Sequence, residues 1–139
     1  MRSREEKSAV DGESGWQLRA IRGATTVEEN SVEAIAAAVS EMLDAVEDRN
    51  PIDPARIVSA TFSVTKDIDA IFPAAIARKR PKWDSVPLLD VQQMHVEGAL
   101  PQCIRLMLHA YLPVRQVEVN HTYLRGAQRL RPDLCLTSD

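Results

Sequence analysis

Aromatic residues are scarce in this 139-residue chain, with two each of phenylalanine, tryptophan and tyrosine. No basic face studded with stacking aromatics accompanies its RKRPK run (78–82), and the formal net charge is -3. Together these argue against a nucleic-acid partner. Cysteine is rarer still: Cys103 and Cys135 lie far apart, outside any CxxC or Cys/His cluster, and are read as reduced thiols, Cys103 in a strand. His95, His109 and His121 show no HExxH-like spacing, so no metal site is expected. No apolar run approaches the roughly 20 residues that span a bilayer, and MRSREEKSAVDGESG lacks the apolar block of a secretory signal. The expectation is a cytoplasmic protein with no membrane partner.

What is present is an ordinary globular balance, 45% hydrophobic and 27% charged, at a length that suits one domain. Residues 1–15, polar and without periodicity, read as a flexible extension; residues 16–139 read as a single domain. Alternation from Gln17 to Gly23 predicts a first strand, with Leu18, Ala20 and Arg22 on one face. Asn30, with Glu33 three residues on, is the expected cap of a long amphipathic helix that Asn50-Pro51 stops. Further strands are expected over Ile57–Val64, Val86–Leu89 and Cys103–Tyr111. Pro73 opens a short helix, AAIARKR, and Asn120 is expected to cap a last one, HTYLRGAQRL, ending near Arg131 before Pro132. The fold class is α/β with few helices on a mixed sheet.

The blocks IRGATTVEEN, IFPAAIAR, VPLL with the Met-x-Val-x-Gly frame, CIR, and YLRGAQRLRPDL stand in the order and spacing of the AroH-class chorismate mutases. The resemblance covers about Leu18 to Leu136. It implies a homotrimer of small α/β subunits, a pseudo-α/β-barrel with active sites between subunits. It also implies the cofactor-free Claisen rearrangement of chorismate to prephenate, a step of phenylalanine and tyrosine biosynthesis. That reaction is unimolecular: a carbon–oxygen bond breaks, a carbon–carbon bond forms, and negative charge grows on the ether oxygen. It needs a compact conformer and a cation aimed at that oxygen, and no nucleophile or acid/base dyad.

Residue by residue, the resemblance implies that Arg105 donates to the ether oxygen and a carboxylate, while Arg22 and Tyr123 clamp the side-chain carboxylate. Phe72 and Ala74 would shape the pocket from a neighbouring subunit, and Arg78 would add positive potential at its mouth. Leu130 and Arg131 would belong to a tail that closes over the cleft. Two departures stand out. Ala75 occupies a position where the family often has lysine, and Gln93 one where it commonly has glutamate, with Asp90 replacing a small residue three positions earlier. If the chain turns helically after Leu89, Asp90 and Gln93 reach the same substrate hydroxyl, with Asp90 supplying the anion and Gln93 a neutral hydrogen bond; if it stays extended, they face opposite ways. Asp90 capping a turn is the plainer reading. The alternative function is a non-catalytic trimeric homologue that binds a related dianion or a protein partner.

Overall fold

The computed structural model describes residues 15–115 and 118–134. The expected extension, apart from Gly15, and Cys135 lie outside them. Strand β1 (Trp16–Thr26) leads to helix α1 (Val32–Arg49), strand β2 (Ile57–Val64), short helix α2 (Pro73–Arg78), and strands β3 (Leu88–Gln92), β4 (Cys103–Pro113) and β5 (Thr122–Tyr123). The five strands form one mixed sheet in the order β3-β2-β4-β1-β5. β4 runs antiparallel to both β1 and β2, whereas β3 joins β2, and β5 joins β1, in parallel.

One face of the sheet is covered. Ile35, Val39, Met42, Leu43 and Val46 recur at helical spacing along α1 and are fully buried against Ile21, Phe62, Leu106 and Leu108. That spacing makes an apolar stripe which is stable only when packed, and it supplies most of the reason the helix forms. Ser31, not Asn30, caps α1: its Oγ accepts the Ala34 N–H at 3.1 Å. Asn30 is drawn away by the β2–α2 connection, where its Oδ1 accepts from the Asp69 and Ala70 amides at 3.0 and 3.1 Å.

β1 and β4 run longer than expected, α2 ends at Arg78 and not at Arg80, and two further elements differ more. The third strand begins two residues late, at Leu88, and runs through Asp90 to Gln92, because parallel pairing with Ala60–Val64 fixes its extent. The last expected helix is instead the short strand β5 followed by a 3-10 turn over Arg125–Arg129. Asn120 caps nothing there. It is locked to the end of α1, its N–H donating to Asn50 Oδ1 at 2.8 Å, its C=O accepting from Asn50 Nδ2 at 2.9 Å, and its own Nδ2 reaching Arg49 O at 2.8 Å. With the chain held at that point, pairing with β1 takes Thr122 and Tyr123 before a helix can start. Gly126 then lets the turn press on β1, since a Cβ there would meet Thr26 Oγ1 at 3.1 Å.

The Asn50–Asn120 lock is therefore the joint between α1 and the last segment. Asn50→Ala leaves buried amide groups unpaired and is expected to cost about 2–3 kcal/mol. Urea unfolding checks this as a lowered midpoint at unchanged slope.

Candidate active site

Among the described residues no α-helix covers the opposite face of the sheet. It presents Leu18, Ala20 and Arg22 from β1, Arg105, Met107 and Tyr111 from β4, and Thr61 and Ser63 from β2. Arg22 pairs with Met107, and Arg105 with Ala24 and Ser63, so the two arginines are diagonal neighbours across the β1–β4 pair. Diagonal positions lie roughly 7–8 Å apart, a separation that suits two guanidinium groups holding one small ligand. Tyr123 pairs with Ala24 on the same face, and Leu130 packs on the small cluster of Ala24, Tyr123 and Ala127.

These side chains meet in a cleft of about 510 Å³ whose lining includes Arg22, Arg105, Tyr123, Leu130 and Arg131. Five of the residues expected in the site are thus brought together. Among the described residues neither Arg22 nor Arg105 forms a salt bridge, although Asp133 feels the Arg22 charge, so most of their charge is available to an anion. Arg131 is forked onto Asp133, with Nε and Nη2 at 3.1 and 2.9 Å from its carboxylate oxygens. That bond holds the Asp133 carboxyl below its ordinary range. Cys103, two residues before Arg105, is buried; burial pushes its thiol pKa up against the pull of Arg105, so it stays neutral beside that cation.

The other expected residues lie elsewhere on the chain. A second cleft, of about 550 Å³, is lined by Ile71, Phe72, Pro73, Asp90, Val91 and Gln92, and shares no residue with the first. Phe72 is 70% exposed at its edge. Ala74 is buried in the first turn of α2, and Arg78 ends that helix.

Asp90 and Gln93 do not converge. The backbone stays extended through Gln92, and Gln93 N–H continues the pairing to Val64 O at 2.8 Å, so the helical turn that would bring them together is absent. Asp90 Oδ1 accepts the Ala74 N–H at 3.0 Å. It thereby does for α2 what its own cap residue, Phe72, does not, since no side chain of the cap bonds the first turn. Burial pushes the Asp90 carboxyl up, while the Ala74 amide and the Arg78 charge pull it back down. Gln93 instead lines a small hollow with Thr65, Asp67 and Met94, its Oε1 buried and without a hydrogen-bond partner.

Three residues of the first cleft or its border were not singled out by the sequence. Thr61 and Ser63 line it opposite Arg105 and Met107, and the alternation of β2 already showed them on a polar face. His121 accepts the Arg22 backbone N–H on Nδ1 at 3.0 Å, a contact across 99 residues for which no local signal exists. Burial, then the charges of Arg22, Arg131 and Arg19, hold its pKa below the usual histidine range.

The comparisons with known proteins agree with this geometry. The family model described as chorismate mutase type I matches residues 18–134, and the chain belongs to that family. It is 38% identical to chorismate mutase AroH of Bacillus subtilis (strain 168) over 122 residues, 88% of this chain and 96% of that one. It is 42% identical over 118 residues to chorismate mutase AroH of Thermus thermophilus, 84% of this chain and 96% of that one. Among solved structures, chorismate mutase from Clostridium thermocellum superposes with a TM-score of 0.73 at 38% identity, covering 80% of this chain and 98% of that one.

Because Asp90 bridges β3 and α2, Asp90→Ala is expected to cost about 1 kcal/mol of stability, the ordinary value of a lost cap. Asp90→Asn keeps an acceptor oxygen and sheds a carboxylate whose ionisation burial opposes. It should match or exceed the wild type in thermal unfolding at pH 7. The native state holds the Asp90 proton to higher pH than the unfolded chain, so wild-type stability should fall relative to Asp90→Asn as pH rises through that window.

Proposed function

We propose that the chain rearranges chorismate to prephenate in the cytoplasm, as a homotrimer in which the first cleft of one subunit is completed by the second cleft of its neighbour. The observation that carries this reading is the convergence of Arg22, Arg105 and Tyr123 on a face that no helix covers, while Phe72 and Asp90 stand in a separate cleft. Each cleft is open and incomplete by itself. The uncovered face also carries exposed apolar side chains around the arginines, Leu18 and Met107, and Leu89, 57% exposed, on the edge strand β3. Exposed aliphatic patches of this kind mark association surfaces.

In the completed site Arg105 donates to the ether oxygen, where charge grows as the carbon–oxygen bond lengthens, and to a substrate carboxylate. Arg22 and the Tyr123 hydroxyl hold the side-chain carboxylate, folding the enolpyruvyl arm over the ring. Leu130 and Arg131 close the cleft on the side of the 3-10 turn. Phe72 forms the facing wall over the buried Ala74, and Arg78 raises the potential at the mouth, while Gln93, its Oε1 buried in the separate hollow, stands apart from this wall. Asp90 serves this wall by holding the first turn of α2. No proton is transferred, so the rate enhancement comes from orientation and from cations fixed before the charge appears.

Arg105→Ala tests the assignment. Loss of a preorganised donor at the developing charge costs about 3–4 kcal/mol of barrier, a fall of about 10²–10³ in kcat. Chorismate loss followed by ultraviolet absorbance measures it; a variant within about threefold of wild type would remove Arg105 from the mechanism.

A further inference from the structure

His121 stands at the border of the first cleft with no part in the chemistry described above. Strand β5 supplies two residues, Thr122 and Tyr123, to pair with Gly23 and Ala24. At Arg22, one residue earlier, a ring nitrogen takes the place of a strand carbonyl: His121 Nδ1 accepts the Arg22 N–H at 3.0 Å. Only an imidazole that is neutral and protonated on Nε2 can accept there. The preceding residue is fixed independently, since Asn120 is bonded through its N–H, C=O and side chain to Asn50 and Arg49. The ring therefore links the end of α1 to the strand position that carries Arg22.

The charged groups around this ring are largely of one sign. β1 presents Arg19 and Arg22, and the segment after the Arg125–Arg129 turn presents Arg131, itself forked onto Asp133. A proton added at Nδ1 would remove the acceptor of the Arg22 amide and add a cation to that group.

We propose that neutral His121 is a positioning residue of the mutase, fixing the backbone from which Arg22 reaches the substrate, and that proton uptake at Nδ1 releases it and weakens capture of chorismate in acid. This rests on Arg22 being a substrate-holding arginine. Burial and the three arginines keep His121 neutral at ordinary cellular pH, and the transition falls below about 6.5, the unperturbed value. By linkage, a proton that weakens capture is itself disfavoured once chorismate is bound, so the ring stays neutral in the complex. The effect thus belongs to the free enzyme and appears in kcat/KM rather than in kcat.

The test is the pH profile of kcat/KM for wild type, His121→Ala and His121→Asn, with nitrogen NMR of the wild-type imidazole. Asn places Oδ1 where Nδ1 was and does not titrate. The expected result is a wild-type acid limb that falls below a midpoint under 6.5 and levels off about tenfold or more lower, and a lone-pair nitrogen at Nδ1 near pH 7.5 that titrates with that limb. His121→Ala should lose about tenfold in kcat/KM at pH 7.5, and His121→Asn should regain most of that loss with no acid limb. A His121→Asn profile that keeps the wild-type limb, or a proton on Nδ1 at pH 7.5, overturns the inference. Arg22→Ala separates the two readings. A loss of about 10²-fold there, with the limb unchanged in His121→Asn, sinks only the role of His121. A loss below about threefold in Arg22→Ala removes the role of Arg22 and with it the basis for His121.

Discussion

The antiparallel pairing of β1 with β4 is the constraint on which the rest depends. It is continuous from Trp16 opposite Pro113 to Thr26 opposite Cys103, with no shift of register. Side chains alternate across a strand, so a slip of one residue would turn Arg22 or Arg105 into the α1-covered core and expose Ile21 or Leu106. Burial of Ile21, Leu106 and Leu108 under α1 fixes the register, and the register fixes the diagonal between the arginines. Hydrophobic packing on one face of the sheet thus sets the electrostatic geometry of the other.

The net charge of -3 conceals a strong polarity. The outer side of α1 carries Glu41, Asp44, Glu47 and Asp48, of which Asp44 and Glu47 pair with Arg80 and Glu41 with Arg125. The uncovered face carries Arg22 and Arg105, which form no salt bridge among the described residues. A dianion approaching such a molecule is repelled from the helix and drawn to the sheet, an effect that global charge does not reveal. Burial, aided by the neighbouring arginines, keeps His121 neutral, whereas burial alone keeps Cys103 a passive thiol against the pull of Arg105.

Elements whose signals are local were legible in the sequence. Ile57–Val64 was bounded correctly by its alternation, and α1 and α2 were found by spacing and proline, though α1 is capped one residue later than expected and α2 ends at Arg78, not Arg80. Tertiary competition decided the rest. Asn30 has the chemistry of a cap but is claimed by Asp69 and Ala70, while Ser31 takes the position. HTYLRGAQRL reads as a helix until Asn50 pins Asn120 and β1 captures Thr122 and Tyr123. Within the site, Arg22, Arg105 and Tyr123 were named from their blocks and do share a cleft. The link between Asp90 and Gln93 stayed open in the sequence because it turned on one local conformation, extended or helical, which pairing with β2 determines.

The central claim is that each site is divided between two subunits, and complementation of half-sites addresses it directly. Arg105→Ala disables the first cleft alone; Phe72→Glu, setting a carboxylate at the exposed edge of the facing wall against a dianion, disables the second cleft alone. Unfolding the two variants together and refolding them as a mixture should restore chorismate turnover well above either variant by itself, because some interfaces then join two intact clefts. Activity that stays at the level of the separate variants, from mixed oligomers shown by mass spectrometry to have formed, would contradict a shared site.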